Sequence, residues 1–492
     1  MSHPTIDRRA ILTGGAALTG GAALTVAAQT AAPAVETAKP RAIMNDASRL
    51  NPTPVARHAR LKTGKSGAWI ETLRTELKDA AQSRRRVAVG AARHSMGGQS
   101  LARDGLALTF DDPWLEPDTG NSLYRVSAGA TWAQIIAKLD PIGFSPKVMQ
   151  SNNNFGVAST FSVNAHGWPA PFGPFGSTVR AIRLLLADGS LVECSRTKNP
   201  ELFSLAMGGY GLFGIIVDLD VEMVRNEMLR PQAATMPGED FAQHFLAAVE
   251  GGDAVSMAYG RLSVARASFF RDAILTTYRA ADPQPAPLPA AVDHGAMTSL
   301  SNRLYRKQIG NETAKAIRWA AEAKLAPNLS AGLATRNTLM NEPVSNLANP
   351  FPRRTDILHE YFVPPGRFQE FLTACREVIP PAQAEFINVT LRYVGADTLS
   401  TMAFAPEKRI AAVMSFSQEI TPEGEVDMIQ TTEALIERIV AIGGAFYLPY
   451  RLHARRDQVE KAYPKTAHFV ERKRHYDPGL LFRNTMWDTY FA

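Results

Sequence analysis

The sequence is poor in cysteine and carries little net charge. Its 492 residues include two cysteines, Cys194 and Cys375. These cannot build a disulfide framework or a Cys-rich metal site, so no metal is expected. The net charge of +6, from 53 Lys and Arg against 47 Asp and Glu, is too small to indicate a nucleic-acid partner. With 45% hydrophobic and 20% charged residues, the composition excludes wholesale disorder and a multi-span membrane protein.

A long uncharged stretch rich in Ala and Gly lies at the N-terminus, over 13–34. It follows Asp7, Arg8 and Arg9, and paired arginines before such a run are typical of a twin-arginine export signal. We interpret 1–34 as this signal and 35–54 as a linker, with a retained membrane anchor as the alternative. The signal implies the twin-arginine machinery as a partner and the bacterial periplasm or cell envelope as the compartment. It also indicates a complex cofactor, because this route exports folded proteins.

Hydrophobic spacing predicts alternating helices and strands over about 55–225, an α+β pattern. A helix is predicted over 69–81, and Thr131 is expected to cap another over 132–139. Asp188-Gly189 predicts a hairpin between strands at 179–187 and 191–194. Other predicted strands lie at 86–89, 106–110, 124–127, 215–224, 357–363, 386–393 and 411–416. A Pro- and Ala-rich loop is predicted at 283–298 and helical structure within 299–340, at 426–442 and at 454–473.

Three glycine-rich stretches carry the candidate chemistry. The first runs from Gly90 to Gln99, after a predicted strand. Small residues let the backbone approach a ligand, and successive backbone N–H groups in such a turn can bind a pyrophosphate. This stretch has neither the Gly-Lys-Ser/Thr of a Walker loop nor the Gly-x-Gly-x-x-Gly dinucleotide fingerprint. A tight surface turn with a structural histidine, His94, is therefore the alternative.

The other two stretches lie further along the chain. The second, 151–167, is rich in small and hydroxyl residues that offer hydrogen-bond donors to an anion or a ring edge. Its alternative interpretation is a polar loop. The third, 208–216, is a glycine-dense approach to a strand, which indicates close backbone contact or a bulge.

In this order and spacing, the three stretches resemble the FAD-binding domain of the vanillyl-alcohol oxidase / p-cresol methylhydroxylase (PCMH) superfamily. The nearest motifs are those of sugar-lactone and alditol oxidases and of cytokinin dehydrogenases. The resemblance implies an α+β fold, with a two-part PCMH-type FAD-binding domain at 55–225. A substrate or cap domain with an antiparallel sheet is expected at 226–420, and 421–492 is expected to return to the flavin site.

The resemblance implies FAD as the cofactor and assigns its contacts to the three stretches. His94 matches the histidine that relatives bond covalently to the flavin 8α-methyl, so a covalent link is expected there, with non-covalent FAD as the alternative. An imidazole at that carbon withdraws electrons and raises the flavin's reduction potential. The residues assigned to FAD are Gly90, Ala91, Ala92, Arg93, His94, Ser95, Gln99, Ser151, Gly156, Ser159, Thr160, Ser162, Val163, His166, Gly211, Gly214, Ile215 and Ile216.

The substrate side resembles the relatives less closely. Arg392 matches the arginine of a Glu-x-Arg segment in alditol and aldonolactone oxidases, but Thr390 stands where they have the glutamate. Arg392 is expected to stabilise a developing alkoxide or the reduced flavin, with an ordinary ion pair as the alternative. The candidate catalytic residues are Arg392 and His453. The candidate substrate contacts are Glu360, Asn388, Tyr450 and Arg451.

Together these features predict an exported FAD-dependent oxidoreductase, either an oxidase or a dehydrogenase. It would take hydride from a CH–OH group of a sugar, polyol or lactone and pass electrons to oxygen or another acceptor. Oxidation of a CH–NH group, as in cytokinin dehydrogenases, and oxidation of a lipid-linked sugar are alternative reactions. An envelope binding protein that keeps the fold is the alternative outside enzymes.

Overall fold

The strands in the described part of the chain form three main sheets and one two-stranded sheet. The computed structural model describes residues 42–252, 254–293, 305–325, 332–344 and 349–492. The expected signal at 1–34, the start of the linker and the first part of the helical region at 299–340 lie outside these residues. Within the described ranges, no helix has the length and apolar character that a membrane span needs.

The elements are numbered in chain order. The strands are β1 Ala42–Met44, β2 Thr53–Val55, β3 Arg57–Lys62, β4 Val87–Val89, β5 Leu106–Asp111, β6 Leu115–Asp118, β7 Leu123–Ser127, β8 Phe144–Pro146, β9 Val179–Leu185, β10 Leu191–Ser195, β11 Ile215–Arg225, β12 Met228–Pro237, β13 Met257–Leu262, β14 Asp272–Ala280, β15 Ala334–Thr335, β16 Arg354–Val363, β17 Glu385–Val394, β18 Arg409–Glu419 and β19 Ala445–Phe446. The α-helices are α1 Trp69–Gln82, α2 Trp132–Leu139, α3 Val157–Ser162, α4 Pro200–Ala206, α5 Phe241–Glu250, α6 Glu312–Leu325, α7 Arg336–Met340, α8 Phe368–Val378, α9 Pro422–Ala441, α10 Arg456–Ala462 and α11 Thr466–Tyr476.

The smallest of the three main sheets is parallel, in the order β3-β5-β4. Helix α1 connects β3 to β4, and its predicted apolar positions Leu73 and Leu77 are buried in one cluster with Val87. The C-terminal part of the chain also reaches this sheet. The Val87 N–H donates to the Leu481 carbonyl at 2.7 Å, and the Arg483 N–H donates to the Val87 carbonyl at 3.1 Å. The start and the end of the chain therefore stabilise the same sheet.

The second sheet is antiparallel, in the order β10-β9-β11-β7-β6, with β8 paired to β11. The predicted hairpin is confirmed, since β9 and β10 pair antiparallel around Gly189, whose φ is +84°. The predicted cap of α2 is confirmed as well, because the Thr131 side chain accepts a hydrogen bond from the Gln134 N–H. Trp132 and Ile135 of this helix are fully buried against the sheet.

The third sheet has eight antiparallel strands in the order β15-β12-β14-β13-β17-β18-β16-β19. Side chains alternate between its faces. Residues such as His359 on β16 face the helices, where His359 contacts the Thr432 hydroxyl of α9 at 3.3 Å. The alternate residues, such as Glu360, face a cavity. The mixture of helices and largely antiparallel sheets agrees with the predicted α+β class.

Three sequence predictions were inaccurate. The helix predicted over 454–473 is two helices, α10 and α11, because Pro464 has no N–H to donate and forces Tyr463 out of helical geometry, to φ −128° and ψ 81°. The strand predicted at 179–187 ends at Leu185. Hydrophobic spacing also missed β12, β13, β14, α5 and α8. In addition, β19 pairs with β16, so the segment 421–492 contributes to the eight-stranded sheet before it reaches the parallel one.

Candidate active site

A cavity of about 820 Å³ lies where the parallel sheet and the second sheet meet the open face of the eight-stranded sheet. This volume is within the range of cofactor and ligand clefts, about 300–1,000 Å³. Every residue assigned to FAD from the sequence lines the cavity, and so do Glu360, Asn388, Arg392 and Tyr450. Two proposed site residues, Arg451 and His453, are not among the lining residues.

The first glycine-rich stretch forms the turn after β4. Its C-terminal end is fixed by the segment that follows β19, since the Gln99 side-chain amide donates to the carbonyls of Leu448 at 2.7 Å and Tyr450 at 2.9 Å. A Cβ on Gly97 would lie only 2.6 Å from the Tyr450 carbonyl oxygen. Glycine is therefore required for this close approach, which places Tyr450 beside the turn that carries His94.

His94 lies on the cavity wall with a ring nitrogen that makes no hydrogen bond. Its Nε2 is buried and has no partner among the described residues, and its ring centroid is 4.3 Å from that of Phe155. Burial lowers the pKa of His94, so the imidazole is neutral near pH 7. A buried, unpartnered nitrogen beside a large cavity fits a residue that contacts a bound group.

The second and third stretches complete this wall, and their glycines Gly156, Gly211 and Gly214 line the cavity. A Cβ on Gly156 would lie 2.8 Å from the Ala91 Cβ, so the first two stretches are in contact. Gly214 has φ +154°, and a Cβ there would lie 2.7 Å from the Leu185 carbonyl oxygen. Bare backbone from three segments around one cavity is what a pyrophosphate and a flat ring system require. The residues present therefore fit FAD.

The opposite wall is the open face of the eight-stranded sheet. One row of directly opposed residues crosses four strands of this sheet: Arg261 on β13, Thr390 on β17, Val413 on β18 and Glu360 on β16. The neighbouring row contains Asn388, Ser415 and Leu358. All seven line the cavity.

Glu360 and His166 form a buried pair at one end of this row. Their side chains, each 3% exposed, are hydrogen-bonded between His166 Nε2 and Glu360 Oε1. The Tyr450 hydroxyl donates to the other oxygen, Oε2, at 3.1 Å. Burial opposes ionisation of Glu360, but His166, Arg392 and Tyr450 outweigh it and hold the pKa of the carboxyl below its usual value. His166 Nδ1 has no partner among the described residues.

Arg392 faces the cavity from β17, two residues beyond Thr390. Its Nη2 donates to the Ser151 hydroxyl at 2.5 Å, which joins the sheet to the second glycine-rich stretch. Its Nε is buried and has no partner in the described chain. Burial lowers the pKa of Arg392, while Glu360 acts in the opposite direction. The guanidinium is thus available to a bound ligand as a hydrogen-bond donor.

The predicted roles of His453 and Arg451 at the site are not supported by their positions. Both bind Glu425 of α9, and His453 Nε2 lies 2.9 Å from Glu425 Oε1. Arg451 Nη1 also donates to the Asn51 side chain at 3.0 Å. This carboxylate holds the two side chains away from the cavity, whereas Tyr450, one residue earlier, turns into it. Arg451 and His453 therefore connect α9 to the C-terminal segment.

Several cavity residues were missed from the sequence. Phe155 and Tyr447 lie inside segments that were already suspected. Arg261, Tyr305, Arg318 and Glu322 come from β13 and the helical region around α6, where no motif marked them. The pairing of β13 with β17, which sets Arg261 opposite Thr390, brings that strand to the cavity.

Comparison with known proteins agrees with this geometry. Residues 68–195 match the family model described as FAD binding domain. The chain is 32% identical over 128 residues to cytokinin dehydrogenase 1 of Arabidopsis thaliana, covering 25% of this chain and 22% of the relative. It is 27% identical over 161 residues to the mitochondrial L-galactono-1,4-lactone dehydrogenase of Brassica oleracea, covering 32% and 27%.

The aligned part is thus limited: the chain spans about a quarter of the length of these curated relatives. The predicted resemblance to the PCMH-type superfamily, with likeness to sugar-lactone and cytokinin enzymes, is confirmed. FAD is confirmed as the cofactor.

Proposed function

We propose that this chain, in which residues 68–195 match an FAD-binding domain, is an FAD-dependent oxidoreductase that oxidises a CH–OH group of a small sugar, polyol or lactone. In this proposal the parallel sheet and the second sheet, β10-β9-β11-β7-β6 with β8, are the two parts of a PCMH-type domain. The open face of the eight-stranded sheet would bind the substrate. The observation that supports it most is the buried Glu360–His166–Tyr450 group in the same cavity as the glycine-rich turns.

The glycine-rich walls would hold FAD. Backbone N–H groups of the turn after β4 would bind its pyrophosphate, and residues around Gly156 and Gly214 would pack against its rings. FAD, when bound, supplies an acceptor for a hydride. A ring nitrogen of His94 would bond to the 8α-methyl carbon of FAD, since its imidazole is neutral and its Nε2 is buried with no hydrogen-bond partner among the described residues. This bond replaces a C–H and an N–H bond, and the two protons and two electrons released would pass through the flavin to the electron acceptor.

The proton of the substrate hydroxyl would go to His166. An ionised Glu360 accepts the Nε2–H, which leaves Nδ1 unprotonated and able to take a proton. Glu360 would then stabilise the imidazolium that forms. The Arg392 guanidinium would stabilise negative charge on the substrate oxygen as the proton leaves.

The decisive experiment is anaerobic mixing of the purified, yellow protein with a panel of donors. Loss of flavin absorbance with polyols, sugars or lactones supports the proposal, and a colourless protein refutes it. Reduction by amines alone would favour the CH–NH alternative, which the cytokinin dehydrogenase relatives make worth testing. Reoxidation in air against an artificial acceptor distinguishes an oxidase from a dehydrogenase.

Covalent attachment is tested separately by acid precipitation. We expect flavin in the pellet for the wild-type protein and in the supernatant for His94→Ala. Flavin that is released from the wild-type protein would show that the link does not exist.

We also propose export by the twin-arginine route to the periplasm or cell envelope, supported by Arg8 and Arg9 before the uncharged run. Cell fractionation with Arg8→Lys/Arg9→Lys as the matched variant tests this. Equal distribution of the two proteins would contradict it.

A further inference from the structure

Two arginines share one carboxylate at the end of the cavity opposite Glu360. Arg261 Nη2 lies 3.3 Å from Glu322 Oε2, and Arg318 Nε lies 2.7 Å from Glu322 Oε1. All three residues line the cavity. Two guanidinium charges against one carboxylate give this group of three side chains a net charge of about +1.

Both arginines also keep unused hydrogen-bond donors. Arg261 Nε and Arg318 Nη1 are buried and have no partner within the described part of the chain. A buried charged donor without a partner is unfavourable unless a ligand completes it. Burial and the neighbouring Arg261 lower the pKa of Arg318, as expected for two cations held close together.

The residues around Arg261 and Arg318 form a polar pocket at the β13 end of the cross-strand row. The Arg318 guanidinium lies 5.0 Å from the Tyr305 ring centroid, and the Tyr305 hydroxyl donates to Ser415 at 3.2 Å. Arg261 and Glu360 are three strands apart in one cross-strand row, a separation of about 14 Å at the usual strand spacing. A group bound by the arginines is therefore remote from the Glu360–His166 pair.

We infer that the substrate carries an anionic group, a carboxylate or a phosphate monoester, which binds Arg261 and Arg318 while the reacting carbon lies beside Glu360 and His166. This inference rests on the proposed function. The anion accepts hydrogen bonds from Arg261 Nε and Arg318 Nη1 and neutralises the positive charge that Glu322 leaves uncompensated. A bidentate donor set of this kind suits both carboxylate and phosphate oxygens.

The test uses matched neutral and anionic probes with the purified holoprotein. Sorbitol, sorbitol 6-phosphate and gluconate are titrated by calorimetry at low ionic strength, and flavin absorbance is followed in parallel. We expect at least one anionic probe to bind about tenfold more tightly than sorbitol or better. The two anionic probes distinguish phosphate from carboxylate recognition.

Arg261→Gln and Arg318→Gln should each reduce this preference about tenfold. The matched control is Arg230→Gln, which removes the same charge from an exposed position on β12 of the same sheet, and it should keep the preference. Melting curves would reveal a folding defect in Arg261→Gln or Arg318→Gln, and the other of these two variants would then still test the inference.

Two results would overturn the inference. One is equal affinity for neutral and anionic probes, or a preference that survives both substitutions. The other is loss of flavin from both variants, which would assign the arginines to the cofactor. Calorimetry measures the preference whether or not any donor reduces the flavin, so failure of the proposed function is detected separately.

Discussion

Substitution of Glu360 by glutamine is the most direct test of the proposed proton transfer. The change keeps the size of the side chain but removes its charge. Glutamine also offers an N–H₂ group to His166, which favours the tautomer with its proton on Nδ1. That tautomer cannot accept the substrate proton, so both the charge and the orientation that the mechanism needs are lost.

The size of the effect follows from the contacts. Glu360 makes two hydrogen bonds, to His166 and Tyr450. Hydrogen bonds to a charged group contribute about 1.5–3 kcal/mol and neutral ones about 0.5–1.5 kcal/mol, a typical difference of about 1 kcal/mol per bond. The free energy of unfolding should therefore fall by about 2–3 kcal/mol. A positioned proton acceptor contributes about 10²- to 10⁴-fold in rate, which corresponds to about 3–5 kcal/mol of barrier.

The assay is stopped-flow reduction of the bound flavin under anaerobic conditions. We expect Glu360→Gln to keep its flavin and to reduce it about 10²- to 10⁴-fold more slowly than the wild type. Glu419→Gln is the control, since Glu419 is an exposed carboxylate on the same sheet that pairs with Arg354 at 3.1 Å. A rate within about threefold of the wild type for Glu360→Gln would refute the assignment, because so small a loss lies far below the contribution of a positioned base.

Two further predictions concern stability. Gly167→Ala should sharply reduce soluble yield and bound flavin, because a Cβ there would lie 1.8 Å from the Met149 carbonyl oxygen. Gly64→Ala is the control and should behave as wild type, since a Cβ at Gly64 would meet no atom within 4 Å. Similar yields for both variants would contradict this prediction. The second prediction concerns the pKa of Glu425. Burial alone would raise this pKa, but hydrogen bonds from His453 and Arg451 lower it to about 2. The ionised carboxylate should therefore stabilise the fold by about 3 kcal/mol at most above its usual pKa, a contribution lost as the pH falls towards 2. The melting-temperature difference between wild type and Glu425→Gln should accordingly shrink over that range, and a constant difference would refute it.

The sequence predicted best the helices and hairpins that are stabilised by residues close to them in the chain. The capping residue Thr131 and the turn at Gly189 act within a few residues, so α2 and the β9–β10 hairpin were predictable. Strand β12 was not, because it contains Pro231 and is mostly exposed after its first residues. Its pairing with β14 depends on a strand about forty residues away, and a single strand's pattern cannot reveal such a partner.

The same distinction applies to the candidate site. The glycine-rich wall of the cavity was predictable because glycines and small residues mark it in three short stretches. The direction of a side chain near a strand end was not predictable. Tyr450 and His453 were therefore both candidate site residues, although of the two only Tyr450 lines the cavity. What decides between them is Glu425, which binds His453 from a helix that precedes it by about thirty residues.

The cross-strand row also accounts for the missing glutamate at position 390. The Glu-x-Arg segment that the stretch around Arg392 resembles has its glutamate where this chain has Thr390, on β17. Glu360 occupies the same row on β16, two strands and about 10 Å away. A carboxylate so displaced would act through a partner that takes the proton from the substrate hydroxyl. His166, from the second glycine-rich stretch, is bonded to Glu360 and lines the cavity. In the proposed mechanism, a carboxylate on β16 rather than β17 would assist proton removal, and the β13 end of the row would bind the remote group of the substrate.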